Sequence, residues 1–263
     1  MKNLGLILTA IFIGLVIFYL TVLKPVKYET TDMYDDIINR GYIKVGIKTD
    51  AKPYGFLDEK GEVIGYDADI ARYIAQYIFS NNKKVDFVPV TPSNRLIKLT
   101  TGEVDIVIAT MTITPQRQAV INFSSPYDTA GMALLVKSSS KITSLVDLAG
   151  QNLGVIWGTT AEKSIQNLMP NANIIGFKSY DDAYNALKQG RVNAVASDDT
   201  ILNQYALNDK EVKLLPKRYT REPYGIGLRE GKGSAKLKNV LDFAINDMKQ
   251  KNIINRLHKK WLE

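Results

Sequence analysis

The chain has 263 residues and a mass of 29.4 kDa, and 45% of its residues are hydrophobic and 23% charged. This composition is typical of a globular protein and excludes collagen-like, low-complexity and largely disordered chains. Cysteine is absent and histidine occurs once, at His258, so disulfides, thiolate metal sites and cysteine nucleophiles are excluded. Without a G-x-S-x-G motif, a serine hydrolase that uses His258 is disfavoured.

The net charge of +7 is unevenly placed along the chain. Lys2, Lys24 and Lys27 precede the first acidic residue, Glu29, which leaves +4 over residues 28–263. The basic residues of this longer part are scattered among acidic ones, and no nucleic-acid-binding module is recognisable. The sequence therefore predicts no nucleic-acid partner.

Residues 4–23 read LGLILTAIFIGLVIFYLTVL, in which sixteen of twenty residues are apolar and none is charged. A helix of this length is about 30 Å long, which matches the hydrocarbon core of a bilayer. The following VLKPVKY lacks the small-x-small pattern of a cleavage site, so we expect an uncleaved signal anchor rather than a removed signal. A buried core helix is the other alternative. The anchor predicts a membrane protein with one amino-terminal span.

Short β-branched runs alternate with helical patterns in the rest of the chain. The predicted strands are IKVGI at 43–47, VDFVPV at 85–90, VDIVIA at 104–109, LGVI at 153–156 and VNAVAS at 192–197. Apolar residues recur at helical spacing from Ile70 to Ile78 and from Leu237 to Met248. Such alternation predicts parallel sheets that are covered on both faces and bind ligands at the carboxyl ends of their strands.

Two segments of the sequence resemble each other: LTTGEVDIVIAT from Leu99 to Thr110, and LKQGRVNAVASD from Leu187 to Asp198. Each ends a helix at a glycine and then forms a buried strand whose last residue is polar. Two copies predict two lobes of similar construction, with a cleft between them that can close by hinge motion.

The segment after Thr110 reads MTITPQR and suits the binding of a carboxylate. Thr114 and Pro115 are a typical helix start, and Arg117 lies in the first turn. Hydroxyls, free backbone N–H groups and a guanidinium would together hold an anion. The alternative is a capped helix with a surface arginine.

In the second lobe, GTTAEK at 158–163 predicts a helix capped by Thr159 or Thr160, with Glu162 near its third position. Asp198, at the matching strand end, suits an ammonium group. Asp198 and Asp199 are equally suited to cap the helix that follows.

Successive blocks of the sequence are similar to one family, the amino-acid-binding proteins that serve ABC importers. The blocks are VGIKTDAKPYGF, GYDADIARYIA, TPSNRLIKLTTGEVDIVIATMTITPQRQAVINFSSPY, GVIWGTTAE and SDDTILNQYAL, which together span about residues 35–262. The most specific motif is T-M-T-I-T-x-x-R followed by F-S-x-P-Y.

The resemblance implies a non-catalytic α/β receptor with a two-lobed periplasmic-binding-protein-like fold of type II. Two doubly wound sheets are then joined by a two-strand hinge and preceded by one N-terminal transmembrane helix. The implied parts are a membrane anchor at 1–27, lobe 1 at 28–130 plus 222–263, and lobe 2 at 131–221, with crossings near 128–137 and 216–228. The implied partners are an amino acid and the permease subunits of the importer. The resemblance also implies that the chain attaches to the membrane through its N-terminal helix and that it is a monomer without a cofactor.

The resemblance also implies roles for individual residues. Arg117, Thr112, Thr110 and, on closure, Thr160 would hold the ligand α-carboxylate, and Asp198 would receive the α-ammonium. The full predicted set is Lys48, Tyr54, Phe56, Arg95, Thr110, Thr112, Arg117, Thr159, Thr160, Tyr180 and Asp198. Tyr54 and Phe56 would form an aromatic wall.

The side-chain end of the pocket is predicted to select the ligand. Lys48 stands five residues before Pro53, where members that look built for cationic ligands have an acid, and Arg95 and Tyr180 match positions that hold a distal carboxylate. The formal charges of the predicted pocket sum to +2, from Arg117, Lys48 and Arg95 against Asp198. This positive charge favours glutamate or aspartate over glutamine or a basic amino acid. Two alternatives stay open: Lys48 pairs with Asp50, or Arg95 is a surface residue.

Three further functions are weighed against an acidic-amino-acid receptor. One is a receptor for glutamine or another polar amino acid. Another is a cleft enzyme of the same fold, similar to cyclohexadienyl or arogenate dehydratases, with Glu222 or Glu162 as its general acid. The last, a membrane-tethered sensor, would need a cytoplasmic signalling domain, and only three residues precede the predicted span.

Overall fold

The computed structural model describes residues 32–263. The predicted anchor at residues 1–27 lies outside the described residues. Among residues 32–263, no helix is both long and apolar enough to cross a membrane.

The described residues form an α/β fold with fifteen strands. In chain order the strands are β1 Ile43–Ile47, β2 Asp50–Ala51, β3 Gly55–Leu57, β4 Val63–Ile64, β5 Val85–Pro89, β6 Ile106–Val107, β7 Ile121–Phe123, β8 Asp128–Ala130, β9 Met132–Lys137, β10 Asn152–Ile156, β11 Asn173–Phe177, β12 Ala194–Asp198, β13 Val212–Leu214, β14 Glu222–Tyr224 and β15 Gly227–Arg229. Each of the five predicted strands is confirmed, but β6 covers only two residues of VDIVIA.

Nine α-helices of the described residues lie on the sheets or between them. They are α1 Met33–Arg40, α2 Tyr66–Phe79, α3 Arg95–Thr100, α4 Pro115–Gln118, α5 Thr160–Leu168, α6 Tyr180–Lys188, α7 Asp199–Asn208, α8 Ser234–Gln250 and α9 Ile253–Trp261, and a 3₁₀ turn covers Leu145–Leu148. The two periodic segments of the sequence are α2 and α8. Ile70 and Ile74 of α2 and Leu237, Leu241 and Ile245 of α8 are buried, as an apolar stripe requires.

Two five-stranded sheets define two lobes. Lobe 1 is built on the order β5-β1-β6-β15-β7 and lobe 2 on the order β11-β10-β12-β9-β13. A small sheet, β2-β3-β4, belongs to the segment between β1 and α2.

The predicted parallel pairing is present at the core of each sheet, but each sheet also contains antiparallel strands. In lobe 1, β1 pairs in parallel with β5 and β6, whereas β15 is antiparallel to β6 and β7. In lobe 2, β10 pairs in parallel with β11 and β12, whereas β9 is antiparallel to β12 and β13. β9 follows the passage of the chain from lobe 1 into lobe 2, and β15 follows its return from lobe 2 into lobe 1. Each of these two strands enters its sheet at the end where the parallel strands finish, so it runs antiparallel to them.

Two adjacent strands connect the lobes. β8 pairs antiparallel with β14, with Asp128 opposite Tyr224 and Ala130 opposite Glu222. The chain continues from β8 into β9 of lobe 2 and from β14 into β15 of lobe 1. A ribbon of only two paired strands is a suitable hinge between two rigid sheets.

The carboxyl ends of the central strands place polar residues at the cleft. Lys48 follows β1, Thr110 lies shortly after β6, and Asp198 ends β12. Gly102 and Gly190 have φ of +78° and +75°, so the two similar segments of the sequence end their helices in the same left-handed conformation. The repeat therefore ends in one buried polar residue in each lobe, at or just after the carboxyl end of a central strand.

Candidate functional site

A cavity of about 670 Å³ lies between the lobes. Of the predicted ligand-binding residues, five line it: Arg95, Thr112 and Arg117 from lobe 1, and Thr159 and Thr160 from lobe 2. The segment 220–222, next to the hinge, completes the wall. Within residues 32–263 no group of three or more His, Cys, Asp and Glu side chains could hold a metal ion.

Arg117 reaches across the cleft from the short helix α4. Thr114 caps this helix by accepting the Arg117 N–H at 3.2 Å, and Pro115 occupies its first turn. The Arg117 guanidinium donates to the Thr112 carbonyl at 2.8 Å and to the lobe 2 carbonyl of Gly158 at 3.3 Å. Burial and the nearby Arg95 charge lower the pKa of Arg117 to about 9, so the group is cationic at neutral pH.

The facing helix of lobe 2 begins at the cavity. Thr159 caps α5, since its hydroxyl accepts the Glu162 N–H at 3.3 Å. The Glu162 carboxylate accepts from the Gly158 N–H at 2.8 Å, one residue earlier than a capping box requires. The Thr160 hydroxyl lies 3.5 Å from that of Thr112, so hydroxyls of both lobes meet beside Arg117.

Lys48 is buried behind this cavity with a side-chain exposure of 1%. Its ammonium donates to the Thr110 hydroxyl at 2.5 Å and to the Tyr180 hydroxyl of lobe 2 at 2.7 Å. Burial and the Arg95 charge lower the pKa of Lys48 to about 8, against the opposing effects of Asp198 and Asp50. Asp50 thus acts on Lys48 through its charge.

Arg95 is also buried, at 2% exposure, although it is the first residue of α3. Its guanidinium donates to the backbone carbonyls of Ala109 at 2.5 Å and Thr110 at 3.3 Å. Its Nε is a buried donor without a partner. The alternative of a surface arginine is therefore wrong, because the start of α3 points this side chain at the end of β6.

Asp198 ends β12 and is buried. Its carboxylate accepts from the Tyr224 hydroxyl at 2.6 Å and makes no capping hydrogen bond to α7. Asp199 instead accepts from the Gly131 N–H at 3.1 Å and pairs with Arg218 at 2.6 Å. Burial raises the pKa of Asp198, while Lys48 and the Tyr224 hydrogen bond oppose the rise.

Asp67 is a buried carboxylate that the sequence reasoning missed. It accepts from the Thr110 N–H at 2.9 Å and from the Tyr127 hydroxyl at 2.9 Å. Thr110 has a φ of +46°, which is rare for a residue with a side chain, so the Asp67 bond holds a strained turn. Burial raises the pKa of Asp67 to about 6. Its position in the first turn of an apolar helix was the only signal in the sequence.

The predicted aromatic wall is divided in the structure. Tyr54 is buried, and its hydroxyl donates to Asp128 at 2.9 Å and accepts from Thr200 of lobe 2 at 3.0 Å. Phe56 lies elsewhere, beside Trp261 with ring centroids 5.9 Å apart, and lines a second cavity of about 460 Å³. The structure therefore does not bring Phe56 to the cavity that Arg117 lines.

Buried carboxylates offset the positive charges of Lys48, Arg95 and Arg117. Three cationic side chains, Lys48, Arg95 and Arg117, are accompanied by three acidic ones, Asp67, Asp198 and Glu222. The sum of +2 expected from the sequence was incomplete, because it omitted Asp67 and Glu222. Glu222 lines the cavity, accepts from the Thr220 hydroxyl at 2.8 Å, and counteracts the fall in the pKa of Arg117.

Comparison with known proteins shows the family to which the chain belongs. Residues 43–263 match the model of the bacterial extracellular solute-binding proteins, family 3. The chain is 36% identical over 239 residues to the ABC transporter glutamine-binding protein GlnH of Bacillus subtilis (strain 168), covering 90% of this chain and 87% of that protein. It is 37% identical over 199 residues to the glutamine-binding protein of Geobacillus stearothermophilus, covering 75% and 76%. Other relatives are named as glutamate-, arginine- and cystine-binding proteins.

The solved structures show the same two-lobed fold. One is an ancestral amino-acid-binding protein, AncCDT-1, described as a precursor of cyclohexadienyl dehydratase; it is 34% identical, with a TM-score of 0.81, and the match covers 89% of this chain and all of that one. The resemblance drawn from the sequence is confirmed. The chain belongs to family 3 of the bacterial extracellular solute-binding proteins.

Proposed function

We propose that this protein is the extracytoplasmic amino-acid receptor of an ABC importer, which binds its ligand between the lobes and delivers it to a membrane permease. The observation that carries this proposal is the position of Arg117 on the wall of the cavity between the lobes, with the buried carboxylate of Asp198 near enough for its charge to act on Arg117. A zwitterion removed from water needs a partner for each of its charges. Arg117, Thr112 and Thr160 suit the α-carboxylate, and Asp198 suits the α-ammonium.

The ligand we propose first is glutamine. The positive charges of Lys48, Arg95 and Arg117 are offset by the buried carboxylates of Asp67, Asp198 and Glu222, so a ligand without net charge leaves these six charges balanced. Two relatives that match at 36% and 37% identity are named as glutamine-binding, which supports the same choice. A side-chain amide can accept a hydrogen bond from Lys48 or Arg95 without bringing a further charge into the cleft.

The second candidate is the acidic amino acid that the sequence favours, glutamate or aspartate. Lys48 and the unpartnered Nε of Arg95 present only donors, and a carboxylate is an acceptor that donates nothing in return. A relative of this chain is also named as glutamate-binding. If the total charge of the cleft decides which amino acid binds, glutamine is favoured. If the hydrogen-bond donors of Lys48 and Arg95 decide, an acidic amino acid is favoured.

Calorimetric titration distinguishes the candidates. The full-length protein, purified in detergent and refolded to remove bound ligand, is titrated with glutamine, glutamate, aspartate and arginine. Glutamine binding at least tenfold tighter than glutamate supports the first candidate, and the reverse order supports the second. Absence of binding to any of the twenty amino acids contradicts the receptor function, and turnover of an aromatic precursor would establish the dehydratase alternative instead.

The pH dependence gives an independent test of the ligand. The pKa of Lys48 lies at about 8, so Lys48 loses its proton as the pH rises from 7 to 9. An anionic side chain bound beside Lys48 stabilises the protonated form, and its affinity should fall across this range by up to tenfold per pH unit above 8. Glutamine affinity should change much less, because its amide carries no charge.

We also propose that residues 4–23 anchor the receptor in the cell membrane with the binding lobes outside. The support is the uncharged apolar length of this segment. Protease added to intact cells should digest residues 32–263, and the protein should stay with the membrane fraction after a high-salt wash. Release of a shortened chain into the medium would show that the segment is a cleaved signal.

A further inference from the structure

The two lobes meet backbone to backbone at Gly158. A Cβ atom added to Gly158 would lie 2.7 Å from the carbonyl carbon and oxygen of Pro92 and 2.8 Å from the Cα of Ser93. Gly158 belongs to the loop between β10 and α5 of lobe 2, and Pro92 and Ser93 belong to the loop between β5 and α3 of lobe 1. Because the opposing atoms are backbone, a change of side-chain rotamer cannot relieve the overlap.

The lobe 2 side of this contact is fixed. The ring of Trp157 fills the space beside Gly176, where an added Cβ would lie 1.9 Å from its Cε2. The Gly158 N–H donates to Glu162 at 2.8 Å, and the Thr159 hydroxyl donates to the Ile156 carbonyl at 2.8 Å. These two bonds tie the Gly158 loop to the end of β10 and to the first turn of α5.

The lobe 1 side is fixed as well. The Thr91 N–H donates to the Asn94 side chain at 2.8 Å, and the Asn94 N–H donates back to the Thr91 hydroxyl at 3.3 Å. The Arg95 N–H then donates to the Thr91 carbonyl at 3.0 Å, which joins the turn to α3. Pro92 and Ser93 are therefore presented to lobe 2 by a closed turn.

We infer that Gly158 is a positioning residue that sets how closely the two lobes can approach, and thereby the affinity for the ligand. This inference rests on the proposed receptor function. The contact lies next to the Arg117 hydrogen bond to the Gly158 carbonyl, at 3.3 Å, and to the Thr112–Thr160 hydroxyl pair, at 3.5 Å. Both distances are already near the upper limit for a hydrogen bond. If the lobes moved apart until a Cβ atom added at Gly158 lay 3.4 Å from the opposing backbone, both hydrogen bonds would break.

The test compares two glycine substitutions that share the same backbone strain. Gly158 has a φ of +79°, and Gly150 of lobe 2 has a φ of +69° with nothing within 4 Å of an added Cβ. We expect Gly158→Ala to bind glutamine, the first proposed ligand, at least tenfold more weakly than Gly150→Ala does, while both substitutions lower the melting temperature by similar amounts. Equal affinities of the two variants would overturn the inference.

A second substitution distinguishes a limit on the approach of the two lobes from a distortion confined to lobe 2. Asn94→Ala opens the lobe 1 turn that presents Pro92, so in this background the loss caused by Gly158→Ala should shrink by severalfold. An undiminished loss would show that Gly158→Ala acts within lobe 2 alone and would contradict the inference.

A measurement without ligand separates this inference from the proposed function. The chain has no cysteine, so spin labels can be placed at Ile97→Cys of lobe 1 and Leu168→Cys of lobe 2, whose side chains are 65% and 51% exposed. We expect the shortest interlobe distance in the ensemble to be longer for Gly158→Ala than for Gly150→Ala. If the distance is the same in both variants, Gly158 does not limit the approach of the lobes and the inference is refuted. If the distance is longer in Gly158→Ala but the protein binds no amino acid, only the proposed receptor function is refuted.

Discussion

The Lys48 ammonium of lobe 1 donates a hydrogen bond of 2.7 Å to the Tyr180 hydroxyl of lobe 2, and both side chains are buried. A second bond, of 2.5 Å, joins Lys48 to Thr110. An ammonium group has three N–H donors, so two are committed to the protein and one remains for a ligand. Lys48 therefore joins the two lobes through a buried hydrogen bond and keeps one donor free.

Replacement of Tyr180 by phenylalanine should weaken ligand binding by about tenfold. The substitution removes one acceptor from a buried cation and one contact between the lobes, which typically costs about 1–3 kcal/mol. The pKa of Lys48 should fall further below 8, because the desolvated ammonium loses a partner. Calorimetry and an NMR titration of the Lys48 side chain measure the two effects. An unchanged affinity would mean that the bound state does not use this bond.

Lys48→Ala and Arg95→Ala should weaken acidic ligands selectively. Each removes a buried donor and a positive charge, so glutamate should lose more affinity than glutamine, by about tenfold or more. The ratio of the two dissociation constants, measured by calorimetry for each variant, is the test. If both variants bound glutamate as well as the parent protein, the assignment of these residues to the side-chain end of the pocket would be wrong.

Arg117→Ala and Asp198→Ala should abolish binding of every amino acid. Each substitution would leave one charge of the bound zwitterion without its partner, which costs about 3–5 kcal/mol and corresponds to a loss of more than a hundredfold. Arg221→Ala is the matched control, because Arg221 lines the same cavity but is exposed. Calorimetry with all twenty amino acids should show binding for the control alone. Retained binding by Arg117→Ala would contradict the proposed carboxylate site.

His258 should make the stability of the fold depend on pH. It lies 3.0 Å from Asp128 of β8, and this hydrogen bond raises the pKa of His258 above 6.5, with a smaller contribution from Glu263. A raised folded-state pKa gives stability that is complete below pH 6.5 and lost as the pH rises through the folded value. The Tyr66 ring, 5.2 Å away, carries no charge in this range.

Urea unfolding of the parent protein and His258→Gln at several pH values tests this expectation. The difference in free energy of unfolding should be below about 1 kcal/mol, because the side chain is 36% exposed and the ion pair is screened. It should shrink as the pH rises from 6 to 9. A difference that is constant over this range would assign the effect of the substitution to packing.

The strands and the principal helices could be predicted from local pattern. β-branched runs locate β1, β5, β10 and β12, and helical spacing locates α2 and α8, because burial of one face imposes a period on the sequence. The direction of β9 and β15 could not be predicted, because it depends on the end of the sheet at which a crossing strand arrives.

Motifs at strand and helix ends were enough to predict the family and the two similar lobe segments, and the family resemblance predicted that Thr112, Arg117 and Thr160 lie at one site. The carboxylates buried beside the three cations and the contact between the lobes at Gly158 could not be predicted in this way. Asp67 and Glu222 join the site through burial by elements distant in the chain, and Gly158 faces a turn more than sixty residues away. Such contacts leave no local period in the sequence, since they arise only when the two sheets are folded against each other.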